Sequence, residues 1–149
     1  MRILGIDYGE RRVGLAVSDP TGMLAGPLDT LHRRPGKRPP VHRVAEIARQ
    51  HEAAAVVVGL PLGLDGEENE WCREVRSFGE ALASRIGVPV HFEDERLTSV
   101  VAQKAIQQSG LGRVKRREKE RVDRAAAVLI LQRWLDRTRR ESIEAVEDQ

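Results

Sequence analysis

Aromatic residues make up only 3% of this 149-residue chain, and there is a single cysteine, Cys72. A lone cysteine excludes an internal disulfide and a cysteine-built zinc site. So few aromatics leave little material for stacking on nucleic-acid bases, and strong sequence readout by that route is not expected. No apolar stretch approaches the ~20 residues that a membrane helix needs. The N-terminus also lacks a secretory pattern, because Asp7 interrupts the apolar run of "MRILGID" almost at once and no small-residue cleavage site follows. These absences give a cytoplasmic protein with no membrane partner as the expectation. His32, His42, His51 and His91 show no metal-ligand spacing and are assigned no chemistry.

What is present is a balanced composition, 40% hydrophobic and 32% charged, that suits one domain with a single core. The formal net charge is only +2, but its distribution is uneven. From Arg113 to Arg124 there are seven basic and three acidic residues, a local excess of four positive charges. Residues 141–149 carry four acids and no base. The expected division is therefore a folded domain over 1–138 and an acidic C-terminal tail over 139–149.

"RILGID" and "RVGLAVSD" are two short β-type runs joined by "YGER", and "MLAGPLDTLH" is a third after the turn "SDPTG". An Arg- and Pro-rich loop, "RRPGKRPP", leads to a helix expected around 41–51. "AAAVVVGLP" reads as a strand covered on both faces, and a long helix should run to about Arg85. "GVPVHFEDE" is a fifth strand, "TSVVAQKAIQQSG" a helix, and "EKERVDRAAAVLILQRWLDRTRR" the last helix. Three meandering strands followed by two reached through helical crossovers predict a mixed five-stranded sheet flanked by helices, the ribonuclease H-like arrangement. An all-parallel flavodoxin-like sheet fits the first 32 residues badly, since they leave no room for a crossover helix.

Three sets of acids stand at informative places. Asp7 ends the first strand and shares a face with Ile3 and Gly5 by the two-residue period. Read alone, it is equally well a turn-capping Asp. Asp123 heads an apolar stripe through Ala126, Ala127, Ile130 and Trp134 that should face the sheet, where a carboxylate is costly unless compensated. Glu93, Asp94 and Glu95 come at the end of the fifth strand, and at least one of them must point along the face of Asp7. Strand carboxyl ends are where open α/β sheets place their sites. Carboxylates from these three places would suit a hard divalent cation, Mg2+ or Mn2+, rather than zinc. Asp7 is the expected bridging ligand.

"GIDYGERRVGLAVSD", "VVVGLPLGLDGEE", "FEDERLTS" and "VDRAAAVLILQRWLD" resemble, in order and spacing, the YqgF proteins, bacterial nucleases for pre-16S ribosomal RNA related to Holliday-junction resolvases. The resemblance runs from about Arg2 to Asp136. It implies a ribonuclease H-like fold, a cytoplasmic location and trimming at the 5′ end of the 16S precursor. Carried over by motif, the catalytic and metal-holding acids would be Asp7, Glu95 and Asp123. Two departures concern the resolvase relatives: the fourth strand ends in "VVVGLP" without a carboxylate, and Ala126 and Ala127 stand where a second acid near the last one is usual.

For the nucleic-acid surface, Arg113, Lys115, Arg116 and Arg117 are expected to hold phosphates, with Arg11, Arg12 and Arg96 nearer the acids and Tyr8 as the one candidate for stacking. "GLPLGLDGEE" has no Lys after its glycines and is not a phosphate-cradling loop. "GIDYG" also resembles the first phosphate motif of actin-like ATPases, but those clamp a nucleotide between two such domains. The rival functions are a non-catalytic protein that binds precursor RNA or ribosomal-subunit assembly partners, and a resolvase acting on branched DNA.

Overall fold

A computed structural model of the chain describes residues 1–34, 36–63, 65–97 and 116–148. The elements, in order, are β1 (Arg2–Tyr8), β2 (Arg12–Ser18), β3 (Ala25–Pro27), β4 (Leu31–His32), α1 (Val41–Gln50), β5 (Ala53–Leu60), α2 (Glu70–Ile86) and β6 (Val90–Asp94). A 3-10 turn (Glu95–Leu97) follows, and then a long helix, α3 (Arg116–Glu147). The helix expected from Thr98 to Gly110 lies outside the described residues. Among the described residues no helix is long and apolar enough to cross a membrane.

The sheet runs β3-β2-β1-β5-β6, antiparallel through β1–β2–β3 and parallel through β1–β5–β6. The mixed topology expected from sequence is present, with one difference in the count. The third expected strand is split into β3 and β4, both paired with β2, which makes six strands. The register shows why: Ala16 pairs with Pro27 and Val13 with Leu31, so three steps along β2 face four along the edge. The extra residue interrupts the ladder as a bulge does.

Two-residue alternation builds a core on each face of the sheet. Leu4, Ile6, Tyr8, Val13, Leu15, Val56, Val58 and Leu60 pack against α1 and α2. Ile3, Ala16, Ala55 and Val57 pack against Ala126, Ala127, Ile130 and Leu131 of α3. The apolar, β-branched run of β5 reads as continuous because both of its faces are covered. The second interface is lined with small residues, and α3 therefore approaches very closely. A Cβ on Gly5 would stand 2.6 Å from Leu131 Cβ and 3.2 Å from the Ala127 carbonyl oxygen.

Local signals set the helix ends. Asn69 caps α2 by accepting the Cys72 N–H at 2.9 Å, and Gly87 ends it at a left-handed φ of 70°. Helix α3 runs on through the acidic segment to Glu147, so residues 139–147 are helical.

Candidate functional site

Asp7, at the end of β1, and Glu95, just beyond β6, are buried carboxylates on the two strands that flank β5. Asp7 is 3% exposed and Glu95 2%. Asp7 follows Ile3 and Gly5 on the α3 face of β1, as the strand period requires. Ile6 pairs with Val58, so the next step of the parallel ladder brings Asp7 level with Gly59. Glu95 reaches the same face from beyond β6: a Cβ built on Gly59 would lie 2.5 Å from Glu95 Oε1 and 2.5 Å from Ile130 Cδ1. The missing side chain at Gly59 is thus the space that Glu95 occupies. Gly59 of β5 stands where a carboxylate is absent, and the acid enters from beyond the adjoining strand, β6. Both carboxylates are engaged in polar interactions within the chain.

The other two acids of the cluster are committed elsewhere. Glu93, 3% exposed, accepts from Arg133 Nε at 3.2 Å and from the Arg137 guanidinium, which ties β6 to α3. Asp94 faces the opposite way and takes the fork of Arg96, with Nε–Oδ2 at 2.9 Å and Nη2–Oδ2 at 2.7 Å. The Arg96 backbone N–H also donates to Asp94 Oδ1 at 2.9 Å. These hydrogen bonds hold the Asp94 carboxyl below its ordinary range, so it stays anionic. Of the three successive acids, Glu95 alone is buried against the β5 glycine.

Arg96 is itself wedged beside the β5–α2 loop, its Nη1 3.0 Å from where a Gly66 Cβ would be. Gly66 takes a φ of 85° and donates its N–H to the Gly63 carbonyl at 2.8 Å, so the loop turns tightly against the guanidinium. Arg11 is exposed and Arg12 half-buried, in and after the β1–β2 turn at the same end of the sheet as Asp7.

Tyr8 must be corrected. Successive strand residues face opposite ways, so the neighbour of Asp7 lies in the other core, 2% exposed. Its ring stacks on Phe78 and Trp71 with centroids 4.3 and 5.5 Å away. A residue so enclosed cannot stack on a base.

Arg113 and Lys115 lie outside the described residues, as do the side chains of Arg116, Arg117 and Asp123, whose backbone belongs to α3. The course of that backbone is informative. Ile3 lines one cavity with Trp134 and Leu135, whereas Gly5 meets Leu131 and Ala127, so α3 runs antiparallel to β1. Two residues of strand from Gly5 to Asp7 advance ~6.6 Å, and four residues of helix from Ala127 back to position 123 advance ~6 Å. Position 123 on the α3 backbone is therefore level with Asp7. Among the described residues no three of His, Cys, Asp and Glu form a group able to hold a metal. Asp7 and Glu95 supply two of the oxygen-bearing groups that a hard cation takes, with no nitrogen or sulfur donor in the set.

Comparison with known proteins decides the relationship. Residues 1–137 match the RuvX family, described as Holliday junction resolvase. The chain belongs to the RuvX family. Among its curated relatives, a protein of Maridesulfovibrio salexigens is 39% identical over 92% of this chain and 99% of its own length, and one of Koribacter versatilis is 44% identical over 91% and 87%. Both bear the name "Putative pre-16S rRNA nuclease". Among solved structures, Thermus thermophilus RuvC in complex with a Holliday junction substrate superposes with a TM-score of 0.56 at 22% identity, over 93% of this chain and 96% of that one. That likeness establishes the RuvC-type, ribonuclease H-like fold.

Sequence reading of this RuvX chain missed two features. The Arg133–Glu93–Arg137 clamp had no distinguishing local pattern, since arginines four apart on a charged helix are commonplace. The role of Gly59 did carry a signal, a glycine breaking a run of valines in "VVVGL", which in a buried strand marks close approach of another group.

Proposed function

We propose that this RuvX protein is a divalent-metal-dependent nuclease that hydrolyses phosphodiester bonds in 5′-end maturation of pre-16S ribosomal RNA, in the cytoplasm and in association with the small ribosomal subunit. The observation that carries the reading is the pair of buried carboxylates, Asp7 at the end of β1 and Glu95 seated over Gly59, the β5 residue next in register beside Asp7. Burying acids is unfavourable unless a cation or polar network compensates, and a family of nucleases supplies the reason to keep them.

Asp7, Glu95 and Asp123 are the residues that would hold Mg2+ or Mn2+. Such an ion, when bound, lowers the pKa of a water and offsets the charge that builds on the phosphate. The chain's own contribution is placement. Asp7 is fixed by the central strand, and Glu95 is seated in the space that Gly59 leaves. Close packing of α3 on Gly5 keeps this end of the helix against the strand, and Arg96, held by Asp94, stands at the rim as a cation for the substrate backbone. Arg11, Arg12, Arg113, Lys115, Arg116 and Arg117 complete the proposed phosphate contacts.

The test is cleavage of a 5′-extended 16S precursor by wild type and by Glu95→Gln and Asp123→Asn, with manganese, magnesium or chelator. Metal-dependent cutting at the mature 5′ end, reduced at least 100-fold in either variant with unchanged melting, is the expected result. Equal cutting by all three proteins would overturn the assignment. Binding of precursor RNA without cutting would favour the non-catalytic reading. The RuvX description gives one specific alternative, branched DNA, and a four-way junction cut faster than the precursor would select it.

A further inference from the structure

We propose that the loop from Arg34 to Arg38, between β4 and α1, is a second nucleic-acid track, a built surface for the phosphate backbone that enters the acidic site past the β1–β2 turn. It rests on the nuclease reading only for the destination of the strand at Asp7.

The first ground is charge. Residues 30–45 hold five Lys or Arg, namely Arg33, Arg34, Lys37, Arg38 and Arg43, and no acid. Two of the five are occupied: Arg43 pairs with Glu46 at 3.1 Å, and Arg33 is folded back into the protein. Arg34, Lys37 and Arg38 are exposed, and among the described residues they make no ion pair. Like charges gathered without counter-charges repel one another, a cost that an anionic ligand removes.

The second ground is rigidity. Arg33 anchors the start of the loop, its guanidinium 4.9 Å from the Tyr8 ring centroid and its Nη1 donating to the Gly9 carbonyl at 3.2 Å. Its backbone N–H donates to the Arg11 carbonyl at 2.8 Å. The Lys37 N–H then donates to the Arg34 carbonyl at 3.1 Å, closing a four-residue turn through Gly36 at a φ of 78°. A turn of this kind brings its first and last residues within ~7 Å. Arg34 and Lys37 are thereby set side by side, and Arg38 follows directly. The backbone that carries these cations is thereby ordered before binding, which removes part of the entropic cost.

The third ground is position. Arg12 pairs with His32, and Val13, which pairs with Tyr8, also pairs with Leu31. The loop therefore leaves the sheet at the end where Asp7 stands: His32 is about two strand spacings across and two residues further along, ~12 Å from Asp7, and the loop continues beyond it toward α1 on the other face of the sheet. Exposed Arg11 lies between them. Helix α1 continues the theme: it starts at Pro40 without a side-chain cap and with no acid in its first turn. The positive end of its dipole is left unopposed by any carboxylate there. A backbone of several nucleotides that rounds the β1–β2 turn at Arg11 can therefore touch the loop and reach the acids together.

The experiment measures binding of a short RNA by fluorescence anisotropy in chelator, so that nothing is cut, from 50 to 300 mM salt. The proteins are wild type, the triple variant Arg34→Ala, Lys37→Ala and Arg38→Ala, and a charge-matched control with Arg49→Ala, Arg85→Ala and Arg140→Ala. Each phosphate contact contributes ~0.7–0.9 to the slope of log affinity against log salt. The loop variant is expected to lose about two units of slope and at least tenfold in affinity at low salt, and the control to match wild type. An unchanged slope, or an equal loss in the control, would overturn the track. So would loss of binding to phosphatidylserine vesicles with RNA binding intact. Cleavage reports separately: RNA cutting that needs Asp7 alongside an unchanged slope removes the track and keeps the nuclease, and the reverse pattern does the opposite.

Discussion

Replacing Gly59 by Ala should damage the site more than the fold. The added methyl would stand 2.5 Å from Glu95 Oε1, 2.5 Å from Ile130 Cδ1 and 3.1 Å from Glu95 Cγ. Ordinary contact begins near 3.4 Å, so the neighbours must yield by about 1 Å. Overpacking of this size costs roughly 1–3 kcal/mol, which in a chain of this length lowers Tm by about 2–10 °C. A catalytic group displaced by ~1 Å commonly loses ~100-fold in rate. Glu95 has the longer side chain, with more rotatable bonds, and is the neighbour expected to shift. The expected outcome is a folded protein with a modest Tm loss and a rate loss near 100-fold. Gly26→Ala is the internal control: its nearest neighbour, the Val17 carbonyl, is 4.0 Å away, and both rate and Tm should stay close to wild type. The assay pairs thermal melting by circular dichroism with timed cleavage of labelled precursor RNA. If Gly59→Ala matched wild type in both, Glu95 would not occupy the space over Gly59, and the reasoning would fail.

Other perturbations separate the roles of neighbouring residues. Glu93→Gln leaves Arg133 and Arg137 without their shared carboxylate. Because those side chains are 32% and 40% exposed, the cost should be about 1–2 kcal/mol rather than the ~3–5 of a fully buried pair, seen as a lower Tm. Tyr8→Phe should leave RNA affinity within about twofold, measured by anisotropy, since the ring is enclosed by Trp71 and Phe78; a larger loss would put Tyr8 back at the RNA surface. Asp19 is held down to about 2 by the Leu24 backbone N–H first, then by Thr21 and Met23. A depressed carboxyl adds stability above its unfolded value, near 3.8, and loses it as pH falls toward 2. Asp19→Asn should therefore flatten the dependence of Tm on pH between about 5 and 2 and leave its slope at neutral pH unchanged.

The sheet was legible in the sequence because its signals are local. Period-two burial in β1 and β2 and the twice-covered run of β5 each act within a few residues. The split of the third strand was not legible, because a bulge depends on register against β2 rather than on composition. Parity alone put Asp7 on one face with Ile3 and Gly5, while the helix that covers that face was set by tertiary packing. The same parity, applied one residue further, places Tyr8 in the opposite core, and adjacency in sequence misled there. The choice among Glu93, Asp94 and Glu95 needed the partners: two helix arginines take the first, Arg96 takes the second, and Gly59 makes room for the third. Those partners are 2 to 44 residues away, which is why the motif quoted for the acids could not rank them without the resemblance.

The central claim is that Asp7 and Glu95 share an ion with Asp123. The most direct measurement is a crystal structure of the protein soaked in manganese, with anomalous scattering recorded at a wavelength above the manganese edge. The account predicts a peak between Asp7 and Glu95, with carboxylate oxygens at about 2.0–2.3 Å and a ligand supplied from position 123. A peak at Glu93 or Asp94, or an empty site at manganese concentrations that support RNA cleavage, would contradict it.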